Sequence, residues 1–398
     1  MTNEFERCGV WPSRLLCRLG VVAGLLLSLA AHAQVKILVN PGDQGEQSRG
    51  ATMTTWRTAI EQVLRKERFN DLTMAGLADM TSDLSATRAR IPDVVVGPAH
   101  LIGSALRYGY TPVAQLDTRS QAVLVVPTNS PITNFQQAAG KRLGLPMQDS
   151  LVTYLLRGET VAANTTIKRH FRDLYETRYQ DALLVCLQIG RCEVVGVEKA
   201  TYEKWIAAGS QVKVIMESRE VPGLSLAIKD GSKVSADAFR ADLAEVAAAG
   251  GKTTRASPQD FTYVSTLGYF TPRALAGAKV VDAKTVAAML SANTARYIDT
   301  RNDAEFNEGH VPGSMLVPYV EKSAKDPDFA SDADQFNVAK LGPDRDAVLV
   351  FGCNGPECWK SHKASIAALR AGYKNVNWFR GGLPEWRAAG LAVNINAK

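Results

Sequence analysis

The residues best suited to chemistry are two close cysteine pairs, Cys186 with Cys192 and Cys353 with Cys358. A cysteine reacts as its thiolate, so its surroundings decide whether it is a nucleophile or inert. Cys353 ends the apolar run 348–352 and opens a loop, 354–360, with Ser361 placed to N-cap the next helix. A thiol at the mouth of such a loop faces backbone N–H groups and the positive end of a helix, and both favour the thiolate. Lys360 adds a cation at the loop end, and His362 is expected at an exposed position in the helix's first turn. Cys358 lies in the same loop and has three readings. It resolves a sulfur adduct on Cys353 by forming a disulfide, it is itself the nucleophile, or the pair is a structural disulfide. We take Cys353 as nucleophile and Cys358 as redox partner. No second cysteine or histidine pair has zinc-site spacing, so no metal is expected. No dinucleotide fingerprint, Walker loop or haem-attachment motif occurs, so no cofactor is expected either.

These residues need a scaffold. From Val35 onward, short β-rich runs alternate with longer amphipathic stretches. Strands are expected at 35–40, 72–77, 93–97, 122–127, 142–145, 212–217 and 224–229, with helices such as 52–65, 101–108 and 150–157 between them. The alternation predicts α/β architecture with largely parallel sheets. Residues 274–279 read as a linker. Beyond it a second α/β pattern sets strands at 296–299, 314–317, 347–351 and 375–379, and helices at 283–291 and 361–371. The expected organisation is a leader, 1–33, followed by domains at 34–275 and 279–398. No repeat of solenoid period is present.

Several segments of the second domain carry a recognisable pattern. Tyr297-Ile298-Asp299-Thr300-Arg301 ends a strand in Asp-x-Arg. Glu305-Phe306, Gly309-His310-Val311-Pro312-Gly313-Ser314 and Val348-Leu349-Val350-Phe351-Gly352-Cys353 follow. Gly372-Tyr373-Lys374-Asn375-Val376 and Gly381-Gly382-Leu383-Pro384-Glu385-Trp386 close the series. In this order they resemble the rhodanese family. The resemblance implies a central parallel sheet and a sulfurtransferase whose loop cysteine carries a persulfide, with transfer to a thiol acceptor. It points to Cys353, Cys358, Lys360 and Ser361 as catalytic, and to Asn354, Gly355, Glu357 and Trp359 as substrate contacts. The loop is two residues longer than the family's, and Lys360 stands where an arginine is usual. Lysine lacks the bidentate fork, so thiosulfate-like anions would be held less firmly, while a larger donor would fit. Cys358-Trp359 also resembles, with a wider spacing, a Cys-x-x-Cys-Trp subgroup associated with quinoprotein catabolism. Asp299 with Arg301 is expected to be a structural ion pair, His310 a packing residue, and Trp378 and Trp386 core or groove aromatics.

In the first domain, Asp93-Val94-Val95-Val96-Gly97-Pro98-Ala99-His100 and Tyr108-Gly109-Tyr110-Thr111-Pro112-Val113-Ala114 precede Asn134-Phe135-Gln136 and Gly140-Lys141-Arg142-Leu143-Gly144. Asp149-Ser150-Leu151-Val152-Thr153-Tyr154 then opens a helix. Together these resemble the phosphonate/phosphite-type periplasmic solute-binding proteins, which implies a two-lobed type II fold. Oxyanions bind at helix N-termini, where free N–H groups converge. Candidate solute contacts are Gly97, His100, Ser150, Thr153 and Tyr154, with simple N-capping by Ser150 an equal alternative. Asp149 would repel an anion facing it, so cationic, neutral and sulfur-containing solutes stay open beside an oxyanion. Cys186 and Cys192 flank a turn of the same family, and a structural disulfide there would add roughly 2–3 kcal/mol.

Arg14 and Arg18 precede an apolar run, 19–31, and Ala31-His32-Ala33 offers a cleavage site. This is the pattern of a secretory signal, so a periplasmic chain starting at Gln34 is expected. The run is short for a membrane span, and no stable anchor is expected. The 46 basic and 40 acidic residues are dispersed, which points away from nucleic acid. Three functions remain: an exported sulfurtransferase that selects a sulfur compound, a solute receptor with a non-catalytic second domain, and a thiol oxidoreductase. A transporter or a redox protein is the partner each would use.

Overall fold

The computed structural model describes residues 34–75, 79–245 and 251–396. The expected leader and the far end of the strand expected at 72–77 lie outside them. Strands in chain order are β1 (Val35–Val39), β2 (Leu72–Met74), β3 (Val94–Gly97), β4 (Tyr110–Leu116), β5 (Ala122–Pro127) and β6 (Arg142–Pro146). Then come β7 (Asp173–Thr177), β8 (Val194–Glu198), β9 (Val212–Glu217), β10 (Ser225–Lys229) and β11 (Thr253–Arg255). The C-terminal sheet uses β12 (Lys279–Val280), β13 (Arg296–Asp299), β14 (Met315–Leu316), β15 (Val348–Gly352) and β16 (Asn375–Phe379). The helices that matter for the sites are α1 (Glu46–Lys66), α2 (Met80–Arg88), α3 (Ala99–Arg107), α4 (Leu151–Ala162) and α5 (Trp359–Arg370).

The N-terminal part has two lobes. One sheet runs β11-β4-β10-β3-β1-β2 and the other β9-β5-β8-β6-β7. The expectation of largely parallel sheets fails here, because both are mixed. The chain crosses between lobes twice, at Arg119–Ser120 and at Val221–Pro222, and these segments pair antiparallel. The strand arriving from the other lobe therefore runs against its neighbours: β10 against β3 and β4, β5 against β8 and β9. The C-terminal sheet, β12-β16-β15-β13-β14, is parallel throughout, as expected.

Local chemistry explains the helices that reach the sites. In α1, Trp56, Ala59, Ile60, Val63 and Leu64 recur at three- and four-residue spacing and are all buried against the first sheet. Burial of each large apolar side chain contributes about 2 kcal/mol. α2 is capped by Asp79, which accepts from the Ser82 N–H at 2.8 Å, and α4 by Ser150, which accepts from the Val152 N–H at 3.2 Å. The strand β15 lies in the middle of its sheet with Leu349, Val350 and Phe351 fully buried. Its carboxyl end is thus fixed from both sides, and in parallel sheets such ends carry the chemistry. Among the described residues, no helix is long and apolar enough to cross a membrane.

Candidate functional site

Cys353 leaves the end of β15 and Cys358 stands at the head of α5, and the two are joined as a disulfide with Cα atoms 6.2 Å apart. The loop between them is a tight turn closed by the Cys358 N–H donating to the Gly355 carbonyl at 2.9 Å. Gly355 takes φ +91°, which favours glycine. The Leu383 N–H donates to the Cys353 carbonyl at 2.9 Å. Gly382 makes that approach possible, because a Cβ there would lie 2.1 Å from the Cys353 carbonyl oxygen.

The loop is held from within its own domain by a buried polar chain. Arg301, 1% exposed, pairs with Asp299 at 2.7 Å and donates to the Asn354 Oδ1 at 3.2 Å and the Gly309 carbonyl at 2.7 Å. Asn354 donates in turn to Glu305 at 2.7 Å, and Lys360 pairs with Glu305 at 3.3 Å. Burial alone would raise the Glu305 pKa, but Lys360, with Ser85 and the Asn302 N–H, holds it below the usual value. His310 stacks on Phe306 at 3.8 Å and keeps to a packing role.

The loop is also held from the N-terminal part. Arg88, the last residue of α2, donates to the Glu357 carbonyl at 3.3 Å and pairs with its carboxylate at 3.4 Å. The Thr271 N–H donates to the Pro356 carbonyl at 2.8 Å, and the Trp359 indole N–H donates to the Tyr269 carbonyl at 2.8 Å. A cavity of about 240 Å³ opens beside the loop. Glu357, Cys358, Trp359 and Lys360 line it together with Arg88, Tyr319 and Lys325, whereas Cys353, Asn354, Gly355 and Ser361 do not.

Two sequence expectations are corrected. The helix begins at Trp359, two residues early, so Cys358 occupies the N-cap position and Ser361 lies inside the first turn. The Ser361 hydroxyl instead accepts from the Trp378 indole N–H at 3.1 Å. His362 is not exposed. It is 2% accessible, lies between the Trp359 and Trp378 rings at 5.2 and 5.0 Å, and burial pushes its pKa down to about 4. It is therefore neutral and adds no charge to the loop.

The cleft between the two lobes holds a cavity of about 450 Å³. The first turn of α2 (Met80, Thr81, Ser82) and the start of α4 (Ser150, Leu151) line it, with Asp43, Asp149 and Glu198. Of the five expected solute contacts only Ser150 lines the cavity. Thr153 donates to the Pro146 and Met147 carbonyls at 3.3 Å each. His100 is turned behind the cleft, with Nε2 2.9 Å from the Asp149 carbonyl and its ring 4.7 Å from Tyr154. Burial pushes the His100 pKa down to about 4. Tyr154 is buried and Gly97 is covered by Leu101.

Asp149 is 3% exposed and accepts from Thr81 at 2.6 Å and from the Lys325 ammonium at 2.5 Å. Burial would raise its pKa, but Lys325 outweighs that and holds it below the usual value. Across the cleft, Gln180 donates to both Asp43 at 2.7 Å and Glu198 at 3.1 Å. Burial, with the neighbouring Asp43 charge, pushes Glu198 up to about 7. Cys186 and Cys192 are disulfide-bonded, with Cα atoms 5.2 Å apart. Among the described residues, no three His, Cys, Asp or Glu side chains converge as a metal site. Arg88 and Lys325 carry no signal in the sequence, and Glu305 appears there only within the Glu305-Phe306 segment, with no sign that it would hold Asn354 and Lys360. Each acts on a partner more than a hundred residues away in the chain, and no local pattern shows that pairing.

A two-lobed binding cleft and a cysteine loop at the end of a parallel sheet define a solute-binding protein joined to a sulfurtransferase-like domain. Residues 43–275 match the family described as ABC transporter, phosphonate, periplasmic substrate-binding protein, and the chain belongs to that family. Residues 282–389 match the rhodanese-like domain. Thiosulfate sulfurtransferase 16, chloroplastic, from Arabidopsis thaliana is 34% identical over 100 residues, which is 24% of this chain and 77% of the relative. Protein HIGH ARSENIC CONTENT 1, mitochondrial, from the same plant is 30% identical over 125 residues, 30% of this chain and 69% of the relative. Among solved structures, a binding protein component of an ABC phosphonate transporter from Pseudomonas aeruginosa is 14% identical with a TM-score of 0.48, covering 59% of this chain and 85% of its own. PhnD1 from Prochlorococcus marinus, in complex with methylphosphonate, is 12% identical with a TM-score of 0.48, covering 59% of this chain and 97% of its own.

Proposed function

We propose that the chain is an exported sulfurtransferase whose N-terminal part binds a small solute and whose loop cysteines carry sulfane sulfur. The working boundaries are a leader at 1–33, a solute-binding domain at 34–275 and a rhodanese-like domain at 279–398. The observation that carries the reading is the cysteine pair that joins the end of β15 to the head of α5, with Cys358 lining a cavity that Lys360 and Arg88 also line. A dithiol reductant must first open the Cys353–Cys358 disulfide, taking up its oxidising equivalents as its own disulfide. The Cys353 thiolate then attacks the outer sulfur of a sulfane donor, and the donor's remaining fragment leaves with the bonding electron pair. The resulting persulfide passes its outer sulfur to a thiol acceptor, and Cys353 departs as thiolate. Lys360 and Arg88, each paired with a carboxylate, line the cavity that an anionic donor would enter. Export fits the apolar leader and the two disulfides. N-terminal sequencing of the mature chain, expected to start at Gln34, checks it.

The test is intact-mass spectrometry on the dithiol-reduced full chain exposed to thiosulfate. A gain of about 32 Da, absent in Cys353→Ala, is expected. A second reading, thiol oxidoreductase, is favoured by the disulfide between the loop cysteines. No sulfur adduct in Cys358→Ser, which cannot resolve one as a disulfide, together with rapid return of the wild-type disulfide in air, would establish that reading and sink the first.

A further inference from the structure

The cysteine loop belongs to the rhodanese-like domain, yet the charge beside Cys358 is balanced from the solute-binding part. Glu357 is 2% exposed and Arg88 is 5% exposed, so this pair is shielded from water. Arg88 contacts both the carbonyl and the carboxylate of Glu357. Ser104, on α3, donates to the second carboxylate oxygen at 3.4 Å. Tyr108, just beyond α3, is also hydrogen-bonded to Glu357.

The other charged and titratable groups that line the cavity beside the loop lie on α5 and on the segment 319–325. Lys360 on α5 is already paired with Glu305. On the segment 319–325, Lys325 is paired with Asp149, Glu321 with Lys363 at 2.7 Å, and the Tyr319 hydroxyl with Asp334. Glu357 is covalently next to Cys358 and has Arg88 as its ion-pair partner. A bare carboxylate in a buried setting disfavours a neighbouring thiolate, and a paired one does so far less.

We propose that Arg88 is a positioning residue for the cysteine loop: by neutralising Glu357 and fixing its backbone, the solute-binding part sets the acidity of Cys358, the partner thiol of Cys353. The same helix presents Met80, Thr81 and Ser82 to the solute cleft and Arg88 to the cysteine loop. α2 thus gives the two sites a shared rigid element, nine residues or roughly 13 Å long. The inference rests on the loop cysteines being functional thiols, but it concerns their acidity and does not require turnover.

The experiment is the pH profile of iodoacetamide alkylation of the dithiol-reduced full chain, with peptide mass mapping to follow Cys358. Arg88→Met is expected to move the midpoint up by about one pH unit, close to tenfold slower alkylation at pH 7. Arg88→Lys should recover most of the shift. Glu357→Gln should move the midpoint down, and the Arg88→Met/Glu357→Gln pair should return it near wild type. Glu357→Gln keeps the test open if Arg88→Met does not fold. Unchanged midpoints in Arg88→Met and Glu357→Gln, or shifts of the same sign in both, would overturn the proposal. A persulfide failing to form while these shifts appear would count against the sulfurtransferase reading alone.

Discussion

Removing the Lys325 ammonium isolates a buried carboxylate, and the cost can be worked out from the structure. Asp149 and Lys325 are 4% and 7% exposed at their side chains and meet at 2.5 Å. In Lys325→Met, Asp149 keeps the Thr81 hydroxyl but no ammonium. The fold can then avoid a naked charge by protonating Asp149. Relative to an unfolded-state value of 3.8, protonation at pH 7 costs about 4 kcal/mol, which bounds the destabilisation. That agrees with the roughly 3–5 kcal/mol expected for breaking a buried pair. At pH 5 the same bound falls below about 2 kcal/mol. The signs follow directly. In the wild type the folded pKa is depressed, so its contribution exists above 3.8 and is lost as pH falls. In the variant the folded pKa is raised, so stability is lost as pH rises. The gap between the two must therefore widen from pH 5 to pH 7. Urea unfolding followed by tryptophan fluorescence at both pH values measures it. A gap that is flat with pH, or below about 1 kcal/mol at pH 7, would refute the reasoning.

Two further outcomes follow from the same geometry. Glu198 has a folded pKa of about 7 against 4.5 when free, so the wild type loses stability as pH rises between those values. Glu198→Gln keeps an acceptor for Gln180 but cannot ionise, and should therefore gain on the wild type by up to about 3 kcal/mol from pH 5 to pH 8 in denaturation curves. Cys186→Ser opens a short covalent loop and should cost about 2 kcal/mol under non-reducing conditions, a difference that vanishes when the wild type is reduced.

How far the sites were legible depended on how local their causes are. The apolar run ending at Cys353 predicts a buried strand, and β15 is one. Asp299 and Arg301 sit two apart, and their ion pair forms within one turn of chain. The N-cap falls at Cys358 and not at Ser361 because Trp359 is held as a buried aromatic. Its ring is 2% exposed and its indole N–H is taken by the Tyr269 carbonyl, which draws Trp359 and Lys360 into the helix. His362 is buried for a similar reason, since Trp378 packs on it from β16. Thr153 and His100 carry suitable donors, but those donors are spent on main-chain carbonyls that the fold brings to them.

The sequence alone determined the α/β alternation, the two close cysteine pairs and the short-range motifs around Cys353. These depend on hydrophobic period and neighbouring residues, which are written locally. Only the tertiary structure decided that both lobe sheets are mixed, that Cys358 and not Cys353 opens into a cavity, and that Arg88 faces Glu357. It also decided that Asp149 is neutralised by a lysine from the other domain. Such pairings depend on where separate elements pack. Burial then makes such pairing strongly favoured, because an unpaired charge in the interior, or the proton needed to remove it, costs a large share of the fold's net stability.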